Sequence, residues 1–175
     1  MMKLKPENVS PARYAAVMGI LFAAASALNM LESVFSAFLP AGIRVGLSNI
    51  VIMAAILCLN LPSALVLVIL KAVLVLLTRG VTAGIMSFCG SLAAFAVTAV
   101  LFRKTNASYV LISVLGAFSH SFGQLMAARG ILGTASVFAY APILAVTSVI
   151  TGICTGIVLK AVFPYIKRII PNINQ

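Results

Sequence analysis

Aspartate is absent from this chain, and among its 175 residues only Glu7 and Glu32 carry a carboxylate. Sites that bind magnesium through several carboxylates need ligands that such a chain does not have. A triad with aspartate is excluded, and a pair of carboxylates could form only if Glu7 and Glu32 met. Histidine occurs once, at His120. The composition therefore disfavours catalysis, and we expect neither a metal nor a cofactor.

Cysteine pairs of the kind that bind zinc or perform redox chemistry are also missing. Cys58, Cys89 and Cys154 lie far apart in apolar segments, and no CxxC spacing occurs. Such cysteines are ordinarily buried free thiols, so the sequence indicates no zinc site and no redox motif.

Charge is scarce throughout the chain, since only 8% of its residues are charged whereas 63% are hydrophobic. About a quarter of the residues in a soluble domain are charged. The mean hydropathy of +1.21 agrees with an integral membrane protein. The net charge of +10 does not indicate nucleic-acid binding, because Lys and Arg collect at the cytoplasmic boundaries of membrane proteins.

The hydrophobic pattern predicts an all-α integral membrane protein with six transmembrane helices in a single membrane domain, residues 1–175. A leader of residues 1–13 precedes the six-helix bundle of residues 14–163, and a basic tail of residues 164–175 follows it. Pro6 and Pro11 are expected to keep the leader from forming a helix. The helices are predicted at Tyr14–Phe35, Val45–Leu61 (short for a span), Ser63–Thr78, Ile85–Phe102, Ser113–Arg129 and Ala135–Phe163, the last with a kink at Pro142.

The distribution of cations favours cytoplasmic locations for both termini. Six spans divide them into eight on one side and three on the other, with Lys71 inside the membrane. The first side holds Lys3, Lys5, Arg13, Arg103, Lys104, Lys160, Lys167 and Arg168, and the second Arg44, Arg79 and Arg129. The positive-inside rule assigns the richer side to the cytoplasm. We therefore expect a multi-pass protein of the cell (inner) membrane.

Polar side chains within the apolar helices are the candidates for a binding site. A lysine at the bilayer centre costs about 3 kcal/mol, so Lys71 must be paired or face water. His120 and Gln124 share one face of helix five. A pocket open to the outside with cationic and hydrogen-bonding groups would suit a carboxylate, phosphate or diphosphate. The candidate substrate-binding residues are Asn29, Glu32, Arg44, Asn49, Lys71, Arg79, His120 and Gln124.

Structural roles are the alternatives for the same residues. The three outer arginines could anchor helix ends at lipid headgroups, and Glu32 could form a salt bridge with Lys71 or an arginine. His120 and Gln124 could form a hydrogen bond between helices. We expect Ser87 and Ser91 to be packing residues.

Helix one carries a stripe of small residues at spacings of four: Ala15, Gly19, Ala23 and Ala27. Small residues at this spacing let another helix approach closely. The partner could be a helix of this chain, which is the commoner arrangement, or a helix of another subunit.

Two segments resemble a known family. Gly42–Ile50, GIRVGLSNI, resembles the K/R-x-GLAN segment of the Gx transporter family, which is also labelled heptaprenyl diphosphate synthase component I. Val114–Ala128, VLGAFSHSFGQLMAA, resembles its GAxxHxxGQL segment. Ser48 replaces the usual alanine, and Lys71 stands where an arginine is expected.

That family looks like the S components of energy-coupling-factor (ECF) transporters, six-helix membrane proteins that bind a small nutrient from outside. The resemblance implies partners in the form of a membrane T subunit and two transporter ATPases. It would place the T subunit against the small residues Ala15 to Ala27. It also implies flavins, quinone precursors or prenyl diphosphates as ligands. The alternative is a non-catalytic membrane accessory subunit of a quinone, isoprenoid or flavin-based electron-transfer assembly.

Overall fold

Six α-helices form the computed structural model, which describes residues 11–36 and 46–169. They are α1 (Pro11–Ser36), α2 (Asn49–Cys58), α3 (Leu61–Arg79), α4 (Val81–Lys104), α5 (Tyr109–Leu132) and α6 (Ala141–Ile169), with a short 3₁₀ helix (Ala135–Tyr140) before α6. These two ranges contain no β-strand. The predicted all-α architecture with six helices is confirmed.

Five of the helical segments are long and apolar enough to cross a membrane, with lengths of 19 to 32 residues. The exception is α2, whose 10 residues extend about 15 Å, half of the hydrocarbon thickness of about 30 Å. The predicted bounds Val45–Leu61 were too wide, since the helix is Asn49–Cys58. The turn at Gly46–Ser48 precedes α2, and at Asn60 the chain is already starting α3.

The cap of α3 explains why α2 ends early. The Asn60 side-chain oxygen accepts a hydrogen bond from Ser63 N at 2.8 Å, and Pro62 stands at the first turn of α3. An asparagine cap followed by proline favours a helix start, because proline lacks the N–H that the first turn leaves unbonded anyway. Leu61, which the sequence prediction assigned to the second helix, is therefore the first residue of α3.

Two prolines stand at helix starts, where the sequence analysis predicted otherwise. Pro11 begins α1 instead of preventing a helix, and Pro142 is the second residue of α6 rather than a kink. Because α6 continues through Pro164 to Ile169, half of the predicted basic tail is helical. Residues 1–10 of the leader and 170–175 of the tail lie outside the described residues.

Contacts at both ends of α1 and α3 show that these two helices run in the same direction. The Tyr14 hydroxyl bonds to the Ser63 hydroxyl, and Arg79 Nη2 donates to the backbone oxygen of Asn29 at 2.8 Å. We call the end with Tyr14 and Ser63 end A, and the end with Arg79 end B. The chain between the two helices must therefore return from end B to end A, and α2 does so.

Glycines bring α4, α5 and α6 into close antiparallel contact. A Cβ atom added to Gly123 of α5 would lie 2.7 Å from the backbone oxygen of Cys89 on α4. One added to Gly152 of α6 would lie 2.5 Å from the Cα of Val114 on α5. Backbones that pack this closely gain dispersion contacts, the main source of helix association in a membrane.

The described chain begins and ends at end A, as six passes require. Arg13, Arg103, Lys104 and Lys160 belong to helix segments at this end, whereas Arg79 and Arg129 belong to end B. The division of cations between two sides therefore agrees with the fold. That end A faces the cytoplasm stays a prediction.

Candidate functional site

A buried lysine joins three helices near the middle of the bundle. Lys71, at the centre of α3, is 3% exposed. Its Nζ donates to Asn49 Oδ1 on α2 at 3.1 Å and to Ser91 Oγ on α4 at 3.2 Å. A cation at this depth requires oxygen acceptors, because hydrocarbon cannot solvate it. We call Lys71, Asn49 and Ser91 the lysine site.

Asn49 also lines a small internal cavity beside the lysine site. Hydroxyl groups of Thr98, Ser113 and Thr155 belong to the same lining, so the cavity is partly polar. The space open to the centre of a water molecule is about 10 Å³, roughly the minimum for one water. Asn49 Nδ2 at its edge is buried and has no hydrogen-bond partner in the part of the chain that the structure describes. The site thus has a spare amide donor but no room for a metabolite in this conformation.

His120 and Gln124 form a second buried pair on α5. Gln124 Nε2 lies 3.1 Å from His120 Nε2, so the two side chains are bonded to each other within one helix. Their neighbour across the interface is Gly90 of α4. A Cβ added there would lie 2.7 Å from Gln124 Cγ and 2.9 Å from His120 Cε1. Because Gly90 adjoins Ser91, both buried groups touch the same turn of α4.

Glu32 holds the start of α2 at end B. This carboxylate is 4% exposed, and its Oε1 accepts a hydrogen bond from Gly46 N at 2.7 Å. The backbone oxygen of Gly46 in turn accepts from Asn49 N at 2.9 Å, and the glycine has φ of +70°. Negative charge is favourable at the positive end of a helix dipole. The acid is therefore bonded to the turn that begins α2.

The remaining candidates lie near the same end. The Asn29 backbone oxygen accepts from Arg79, and the Asn29 side chain is buried. Arg44 lies outside the described residues. Among residues 11–36 and 46–169, no three His, Cys or acidic side chains are grouped so that they could hold a metal ion. The structure thus joins Asn49 to Lys71, His120 to Gln124, and Asn29 to Arg79, while ligand contact by any of them stays a prediction.

Comparison with known families shows which family has this sequence pattern. The family model for heptaprenyl diphosphate synthase component I matches residues 21–162. The chain belongs to this family. The match begins within α1 and ends in α6, so it includes the lysine site, the His120–Gln124 pair and Glu32. Neither a curated protein nor a solved structure matches the chain. The resemblance inferred from two segments is confirmed, and the protein is a membrane member of the component I family.

Sequence reasoning missed one residue of the lysine site in this component I chain. Ser91 is fully buried and accepts a hydrogen bond from Lys71, so its assignment to packing alone was wrong. The sequence of α4 does indicate such a role, because Ser87, Gly90 and Ser91 form a face of two hydroxyl groups and one glycine. A small polar face in an apolar helix is typical of a helix that approaches a buried charge.

The small-residue stripe of α1 lies on the exposed side of the helix. Ala15, Gly19, Ala23 and Ala27 are all exposed, and a Cβ added to Gly19 would meet no atom within 4 Å. The helix packs instead through larger side chains, among them Leu21 and Phe22, against α2 and α3. Larger apolar groups bury more surface per contact, which explains the choice of face. Among the described residues, the stripe therefore makes no close helix contact, and its predicted docking to another subunit stays a prediction.

Proposed function

We propose that the chain is the substrate-binding membrane subunit of an uptake system, similar to an ECF S component. Its ligand is a small anionic or amphipathic metabolite of the flavin, quinone-precursor or prenyl diphosphate type. The observation that carries this proposal is the lysine site. An ammonium group buried among three helices attracts an anion more strongly than one at the surface, because the surrounding dielectric is low. Charge-assisted hydrogen bonds would then fix the orientation of the ligand.

The positions of the other polar groups support entry from end B. Glu32 holds the beginning of α2 there, and Asn29 with Arg79 lies at the same level. Arg44, which lies outside the described residues, is a further candidate from the sequence alone. His120 and Gln124 adjoin the lysine site through one turn of α4. The cavity beside Asn49 has room for about one water, so binding requires α2 to move away from α4 and α5.

The experiment that tests this function is mass spectrometry of small molecules extracted from the purified protein. We expect one anionic or amphipathic metabolite at close to one molecule per chain. A mock purification from cells without the protein supplies the background. The absence of any enriched molecule, in preparations from several growth conditions, would contradict the proposal.

Docking to a T subunit, together with two transporter ATPases, is the second part of the proposal. The exposed stripe Ala15, Gly19, Ala23 and Ala27 supports it, because a row of small side chains on a lipid-facing helix permits close approach of another membrane helix. These residues are left exposed by the packing of α1, so docking would not disturb the bundle.

A leucine in this stripe is expected to prevent assembly with the T subunit. Gly19→Leu is tested in co-expression with an ECF T subunit and its two ATPases. The recovered complex should fall at least about tenfold, because the added side chain would force the two helices apart, at a typical cost of about 1–3 kcal/mol. The matched control is Ala96→Leu, at an exposed position of α4. Equal recovery of both variants would contradict docking through α1.

The second candidate is a non-catalytic membrane accessory subunit of a quinone, isoprenoid or flavin-based electron-transfer assembly. The family description, which names one component of a heptaprenyl diphosphate synthase, favours it. The two candidates predict different purification results. An accessory subunit would recover a soluble prenyl synthase or flavoprotein and no small molecule, whereas a binding subunit would retain its ligand without them.

A further inference from the structure

A groove on the outside of the bundle, between α5 and α6, is separate from the lysine site. Phe118, Phe122 and Leu125 line it from α5, and Leu144 and Ala145 line it from α6. The space open to the centre of a water molecule is about 50 Å³, larger than in the internal cavity. Phe118 and Phe122 are 46% and 53% exposed, so the groove opens toward the surrounding hydrocarbon.

The hydroxyl groups at this groove have no free proton to donate to a ligand. The Ser121 hydroxyl lies 2.6 Å from that of Ser148, which donates to the backbone oxygen of Leu144. These bonds occupy both hydroxyls within the protein. The groove therefore accepts an apolar chain and provides no contact that would favour a polar molecule there.

An arginine stands at the end-B limit of the same groove. Phe118, Phe122, Leu125 and Arg129 follow one another at spacings of four, three and four, which places them on one face of α5. The 3₁₀ helix packs across this end, where Val137 contacts the cluster containing Leu125. The Arg129 guanidinium lies over the ring of Phe138 at 5.7 Å from its centroid. The cation is thus held next to an apolar groove.

We infer that this groove binds one acyl chain of an anionic membrane phospholipid, with the lipid phosphate on Arg129. The groove opens to the bilayer, so membrane lipid reaches it without leaving the hydrocarbon. Guanidinium and phosphate match in geometry and form paired hydrogen bonds. The one acidic side chain among the described residues, Glu32, is buried and bonded to Gly46, so no described carboxylate competes for Arg129.

The inference is tested by native mass spectrometry of the full chain in mild detergent. Phosphatidylglycerol and phosphatidylcholine with identical acyl chains are titrated separately. We expect tighter binding of the first phosphatidylglycerol, and about fivefold weaker binding in Arg129→Gln, from the attraction of one cation for anionic lipid. Ala145→Leu, which fills the groove, should weaken binding to a similar degree.

Two control variants separate this site from general effects on the protein. Arg103→Gln removes an exposed cation at end A, and Ala96→Leu adds the same bulk on the surface of α4. Both should bind phosphatidylglycerol as the unaltered chain does. Unchanged affinity in Arg129→Gln and Ala145→Leu would overturn the inference, as would equal losses in the controls. Displacement of the lipid by farnesyl diphosphate at equal concentration would also overturn it, since the groove would then select an isoprenoid ligand.

Discussion

Gly152→Ala is expected to lower the free energy of unfolding by about 1–3 kcal/mol, the usual cost of excess volume in a packed core. The added Cβ would lie 2.5 Å from the Cα of Val114, which belongs to the backbone of α5. A flexible side chain could turn aside, but a helix backbone cannot, so α5 and α6 must separate. Gly156→Ala should act in the same way, since its Cβ would lie 2.6 Å from the Cα of Val110.

The matched control for this experiment is Gly130→Ala in α5, where an added Cβ meets no atom within 4 Å. Alanine favours helix over glycine by about 0.5–1 kcal/mol, so this variant should be as stable as the unaltered chain or slightly more stable. Unfolding of the purified proteins in detergent, followed by circular dichroism, measures the differences. A Gly152→Ala midpoint equal to that of Gly130→Ala would show that the close approach of α5 and α6 is wrong.

Lys71→Met is expected to weaken binding of the co-purifying metabolite at least tenfold. A hydrogen bond to a charged group contributes about 1.5–3 kcal/mol, and each 1.4 kcal/mol changes affinity tenfold. Methionine has nearly the length of lysine and fills a similar volume, so the packing of α3 against α2 and α4 is largely retained. Ser91→Ala, which removes one acceptor of the Lys71 ammonium group, should have a smaller effect.

Lys160→Met provides the control, because Lys160 is an exposed cation on α6. The affinity of Lys160→Met for the metabolite should equal that of the unaltered chain. The thermal unfolding midpoints of Lys71→Met, Ser91→Ala and Lys160→Met are compared first, so that a loss of binding is not a loss of folding. Binding is measured by equilibrium titration of the metabolite identified by extraction. If Lys71→Met and Lys160→Met bind it equally well, the lysine site does not hold the ligand.

Hydropathy was sufficient to predict the fold class, because long apolar helices give the strongest signal that a sequence can carry. The depth of Lys71 was predictable for the same reason, since counting along a regular helix places its middle residue. The shared face of His120 and Gln124 follows from their spacing of four. Each of these inferences depends on the residue pattern of a single helix.

Features that depend on two or more helices were predicted poorly. The bond from Glu32 to Gly46 joins residues on either side of a loop, and no local pattern shows that the acid meets the start of α2. The packing face of α1 could not be chosen from the sequence either. Both its small residues and its larger apolar residues recur at helical spacing, so the choice between the two faces depends on the surfaces of α2 and α3. Ser91 was missed because its partner lies on another helix.

The shortness of α2 constrains how the chain enters the membrane during synthesis. A helix of 10 residues cannot cross the bilayer alone, and its exposed ends would leave backbone groups unbonded in hydrocarbon. The bend at Leu59–Asn60 joins it directly to α3, which is long enough to span. α2 therefore depends on α3 for the hydrophobic length that holds the pair in a membrane. Without α3, α1 would also lack the parallel neighbour that it contacts at both ends.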